Sequence, residues 1–165
     1  MKIRNAPWAL AFIFMFITLA SLACNLTGYR PTQTPPTVQA GDWVNPYLRI
    51  ALDGVTAVQI HTADPATPGV FIPAGTLTGA DLDKLMTALN VSVAVEARNL
   101  ACPDHLRLIF VWPDASQHIL SACLDGTVKL RGVPGTDKLD VPMYGATSDV
   151  LAPYLTDALR ARLDS

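Results

Sequence analysis

The sequence predicts an α+β domain: an antiparallel β meander with two amphipathic helices packed on one face. Three observations carry this. Leu106, Leu108, Phe110 and Trp112 alternate with Arg107, Ile109 and Val111, the period of a strand with two distinct faces. Asp125-Gly126 is a hairpin signal between two further apolar runs. Leu82, Leu85, Met86 and Leu89 recur at helical spacing, and so do Val150, Leu151, Tyr154, Leu155, Leu159 and Leu163.

Residues 1–24 read as a membrane-directed leader. Lys2 and Arg4 precede the apolar run Trp8 to Ile17, and no charge occurs from Asn5 to Tyr29. The small residues Thr18, Ala20, Ser21 and Ala23 close the segment. Positive start, apolar centre and small-residue end form the order of a secretory signal. The positive flank stays cytoplasmic, and the remainder of the chain crosses the membrane.

The end of this segment reads Leu19-Ala20-Ser21-Leu22-Ala23-Cys24. It resembles the lipobox of bacterial lipoprotein signal peptides, over residues 1–24 only. The resemblance implies cleavage between Ala23 and Cys24 and diacylglycerol on the Cys24 thiol. Ser21 stands where that family usually has Leu. The alternative is an uncleaved helix over residues 7–26, long enough for a bilayer core of about 30 Å. Both place the rest of the chain outside the cell membrane on an anchor, and the anchor makes the membrane the first partner.

Residues 24–41 are the expected tether. Three prolines, four threonines and one charge lie between Asn25 and Ala40. Such a segment buries too little to offset its ordering entropy, and its prolines favour an extended spacer. Residues 42–165 are then one folded domain, long enough for a single core.

Within the domain, strands are expected at Val55–His61, Val70–Ile72 (ended by Pro73), Val91–Ala97, Leu106–Trp112, His118–Ala122 and Thr127–Leu130. Thr78 caps a helix that stops at Asn90. A second helix runs from about Ser148 to Leu163, with Pro153 disturbing its first turns.

Cys102 and Cys123 are the thiols that remain after the anchor, and an exported pair oxidises. The expected register pairs Trp112 with Gln117. Cys123 then lies opposite Leu106, so Pro103 and Asp104 must turn the chain back before a bridge can close. Two separate buried thiols are the alternative.

Composition narrows the function. The formal net charge is -2 and 16% of residues are charged, which is no electrostatic footprint for nucleic acid. Losing Lys2 and Arg4 makes the balance more acidic still. There is no P-loop, Gly-x-Ser-x-Gly, Gly-x-Gly-x-x-Gly or His-Glu-x-x-His pattern. Glu96 is the one glutamate and sits on an alternating strand. His61, His105 and His118 lack metal-ligand spacing, and His118 reads as facing solvent. No cofactor or metal is expected.

The expected function is therefore a lipid-anchored extracytoplasmic domain that binds a protein or cell-envelope ligand without chemistry. An inhibitor or regulator of an extracellular hydrolase, and a small hydrolase with an unrecognised site, are the alternatives. Tyr144, in the loop-like Pro142-Met143-Tyr144-Gly145, and Trp112, beside Pro113 at a hairpin tip, are the candidate ligand contacts.

Overall fold

A computed structural model of the chain describes residues 36–164. The expected signal peptide 1–23, the expected Ala23–Cys24 cleavage position and lipid site at Cys24, and the expected tether up to residue 35 lie outside the described residues. Among the described residues no helix is long and apolar enough to cross a membrane.

The domain is α+β, and its sheets are antiparallel. Strands β1 (Trp43–Val44), β2 (Ala57–Ala63), β3 (Phe71–Leu77), β4 (Val93–Ala94), β5 (Glu96–Ala97), β6 (Leu106–Val111), β7 (Gln117–Leu124), β8 (Val128–Arg131) and β9 (Leu139–Met143) form two sheets. A seven-stranded sheet has the order β3-β2-β6-β7-β8-β9-β5, and β1 pairs with β4. Strands β6 to β8 are the expected meander and β9 extends it, each strand paired with the next.

Alternation sorts the sheet into two faces. Val58, Ile60, Leu106, Leu108, Phe110, Leu120, Leu130 and Val141 are buried together in one core. Helix α2 (Gly79–Leu89) adds Leu82, Leu85 and Leu89 to it. Thr78 precedes α2 in extended conformation, and Asn90 caps its end. Fully burying each such side chain contributes roughly 1.5–3 kcal/mol, which makes the alternation a strong constraint on register.

Several elements depart from expectation for identifiable reasons. The C-terminal helix is not continuous: α3 (Ala146–Leu151) gives way to a 3-10 turn (Ala152–Tyr154) and then α4 (Asp157–Arg160). Pro153 has no N–H to donate and its ring crowds the preceding turn. Thr156 restarts the helix, its Oγ1 accepting from Leu159 N at 3.3 Å. Pro73 does not end β3, because β3 is an edge strand and absorbs the proline beside a bulge.

The expected strand Val91–Ala97 divides at Val95. Val95 N donates to Asp42 O at 2.9 Å, and the halves pair with different partners, β1 and β9. Two elements lacked a sequence signal. Helix α1 (Pro46–Ile50) is five residues long, capped by Asn45, whose Oδ1 accepts from Leu48 N at 3.1 Å. Strand β9 contains Pro142, and lies where the loop Pro142–Gly145 was expected. The fold also begins before residue 42: Val38 is buried, and its N–H donates to Gly135 O at 3.1 Å.

A second, smaller layer covers part of the other sheet face. Loop 98–104 lies over β7 and β8, held by two devices. One is a Cys102–Cys123 disulfide with Cα atoms 5.9 Å apart. The other is buried Arg131. Its guanidinium donates to Asp140 Oδ1 at 2.7 Å, Asp104 Oδ1 at 2.6 Å, Cys102 O at 2.9 Å and Asn99 O at 2.9 Å. Burial opposes the charge on Arg131, but the bonds to Asp140 and Asp104 outweigh it and raise its pKa.

Candidate functional site

The side chains singled out by sequence are dispersed. Trp112 is half-buried against the core, and its Nε1 donates to Asp53 O at 3.0 Å. That bond ties the β6–β7 hairpin to the segment after α1. Tyr144 is 61% exposed, just past the end of β9.

His61 lies opposite Arg107 on the less buried face, whereas His118 lies opposite Phe110 on the core face. The expectation that His118 faces solvent is therefore corrected. Strand β7 pairs Val111, not Trp112, with Gln117, and that one-residue slip moves His118 across the sheet. Its Nε2 is buried without a hydrogen-bond partner.

The same slip places Cys123 beside His105 rather than opposite Leu106. His105 N donates to Ala122 O at 2.7 Å, and His105 Nδ1 accepts from Leu124 N at 3.0 Å. The turn Asn99–Cys102 brings the second cysteine back over this strand end. Cys102, His105 and Cys123 thus gather potential ligand atoms within 4.8 Å of one another. Both sulfurs are consumed in the disulfide, and a metal ligand needs the thiolate. In this oxidised state the cluster is a packed, hydrogen-bonded strand end.

Both imidazoles are held below their ordinary pKa. Burial is the main cause for His118, with a hydrogen bond to the Gly132 backbone acting in the opposite sense. For His105, burial is followed by repulsion from Arg162, against an opposing pull from Asp104. Between the lowered folded value and the unfolded value of about 6.5, the unfolded chain binds more protons. Stability is then full above about pH 6.5 and falls as the pH drops through that window. Urea midpoints should decline from about pH 7 to about pH 5, and His118→Leu should flatten part of that decline. A midpoint that rises on acidification would contradict this.

A concavity with apolar walls lies elsewhere, between α2 and α3. Helix α2 carries two stripes. Leu82, Leu85 and Leu89 face the core; Ala80, Asp83, Lys84, Thr87 and Ala88 line a groove of about 710 Å³. Ala146, Asp149 and Val150 of α3 form the opposite wall, and Val91 and Tyr144 close one end. Small residues at Ala80, Ala88 and Ala146 keep the walls apart.

Two polar groups there are committed. Lys84 Nζ is 2.8 Å from Asp81 Oδ1, and Thr87 Oγ1 donates to Asp83 O at 2.8 Å. Asp83 and Asp149 remain on the rim as exposed carboxylates. Tyr144 also lines a second pocket of about 370 Å³ with Trp43, Val93 and Glu96. Trp43 is 73% exposed. Sequence periodicity could have shown the second stripe on α2; the wall from α3 depends on where Pro153 and Gly145 break the chain, and carried no local signal.

Comparison of the chain with protein-family models, with curated proteins and with solved structures returns no match.

Proposed function

We propose that this protein is a membrane-anchored extracytoplasmic lipoprotein whose folded domain binds a ligand in the α2–α3 groove without chemistry of its own. The anchor rests on the leader and Cys24. The binding reading rests on one observation: a concave surface of about 710 Å³, walled by small apolar side chains and rimmed by carboxylates. That volume lies within the range of small-molecule sites, about 300–1,000 Å³. The groove sets no nucleophile beside a base. Its Thr87 hydroxyl is bound to its own helix, and none of the three histidines lines it.

The test is titration of the domain with an uncharged solvatochromic dye such as Nile red. Saturable binding to the wild type is expected. Ala146→Trp, which fills the groove from an exposed position on α3, should weaken it at least about tenfold, the worth of about 1.4 kcal/mol. Equal dye binding by both proteins would reject the groove as the site.

A further inference from the structure

The pocket at the end of the groove has a chemistry of its own. Trp43 and Tyr144 present an indole and a phenol to one concavity, with Glu96 beside them. Both rings are more than half exposed, although rings of this size usually contribute to a core or an interface. Strand β1 holds Trp43 in place by pairing it with Ala94, and Tyr144 comes directly after β9. An aromatic face attracts a cation through its quadrupole, and paired aromatic faces recognise quaternary ammonium groups.

Charge points the same way. Glu96, Asp83 and Asp149 surround the pocket and groove. The nearby ammonium groups are already engaged: Lys84 with Asp81, and Lys129 with both Glu96 at 3.7 Å and Asp125 at 3.4 Å. Lys129 offsets part of the Glu96 charge, and the three carboxylates still outnumber the two ammonium groups, so the site disfavours an anion. Tyr144 lines both concavities, so the pocket and the groove adjoin at its side chain, one with a charged lining and the other with an apolar one.

We propose that these adjoining concavities take a single-chain cationic amphiphile, its ammonium head between Trp43, Tyr144 and Glu96 and its apolar chain along Ala88, Val91 and Val150. The inference rests on the groove reading and adds the head group to it. Concavity at both ends favours a small molecule over the flat contact of a protein partner.

Calorimetric titration with decyltrimethylammonium and with decyl sulfate, each below its micellar concentration, tests it. The ammonium should bind at least about tenfold more tightly than the sulfate. Trp43→Ala should weaken the ammonium about fivefold and leave the sulfate unchanged. Glu96→Gln should weaken the ammonium alone, and more so at low salt. Ala146→Trp should weaken both. Equal affinity for the two head groups, or insensitivity of the ammonium to Trp43→Ala, would overturn the cation site while the groove stands. No binding of either chain, together with no dye binding, would bring down the groove itself.

Discussion

Replacing Arg131 with alanine is expected to cost the domain about 3–5 kcal/mol, the largest effect of any single side chain outside the apolar core. Arg131 is 4% exposed and Asp140 is fully buried. Removing the guanidinium leaves the Asp140 carboxylate without its cation in a dry site. It also deprives Asn99 O and Cys102 O of their donor. The cost is mainly that of stranded charge rather than lost attraction, so removing both partners should behave differently. Arg131→Met with Asp140→Leu should recover more than half of the loss, because Asp104 is partly exposed and can turn to solvent. Urea unfolding of the three proteins measures this. A loss below about 1 kcal/mol for Arg131→Ala would mean that the cluster is not the clamp that its hydrogen bonds describe.

Breaking the Cys102–Cys123 bridge is expected to remove about 3 kcal/mol. The bridge closes a loop with a sequence separation of 21, and the chain-entropy relation gives that magnitude. The Cys102→Ala, Cys123→Ala double variant avoids leaving one reactive thiol and should show the same loss in the absence of reductant. The two effects should not add. Cys102 O is itself an acceptor for Arg131, so loosening the loop at one hold weakens the other. A double-mutant cycle should return a coupling of at least about 0.5 kcal/mol. Full additivity would show that bridge and guanidinium act on separate parts of the structure.

These two devices also mark where sequence reading ran out. The core face of β6 and the α2 stripe were legible because each repeats a period within a few residues. Arg131 carried no such mark: its partners Asn99, Cys102 and Asp104 come from a loop 27 to 32 residues away, and Asp140 from the next strand, at no fixed spacing. The cysteine pairing was readable from the number of thiols, whereas its geometry hinged on one residue of register. Pairing Gln117 with Val111 instead of Trp112 moved Cys123 beside His105 and turned His118 toward the core. Proline acted in opposite senses at different places. Pro73 and Pro142 sit within strands that the sequence reading ended or left out, because β3 is an edge and β5 stops short of Pro142 on β9. Pro153 broke a helix whose apolar spacing continued past it. Exposure of Tyr144 was foreseen from its loop-like surroundings, but the groove it closes arises from two helices meeting, which no single segment encodes.

Export on a lipid to an oxidising compartment is the premise that the anchor, the bridge and the binding role all share. Intact mass of protein extracted from membranes, without reductant, tests that most directly. The expected mass is that of the chain beginning at Cys24, increased by the diacylglyceryl group on that residue and any further acyl chain, and reduced by two hydrogens for the Cys102–Cys123 bridge. A full-length chain recovered from the soluble cytosolic fraction, starting at Met1 and carrying three free thiols, would contradict it.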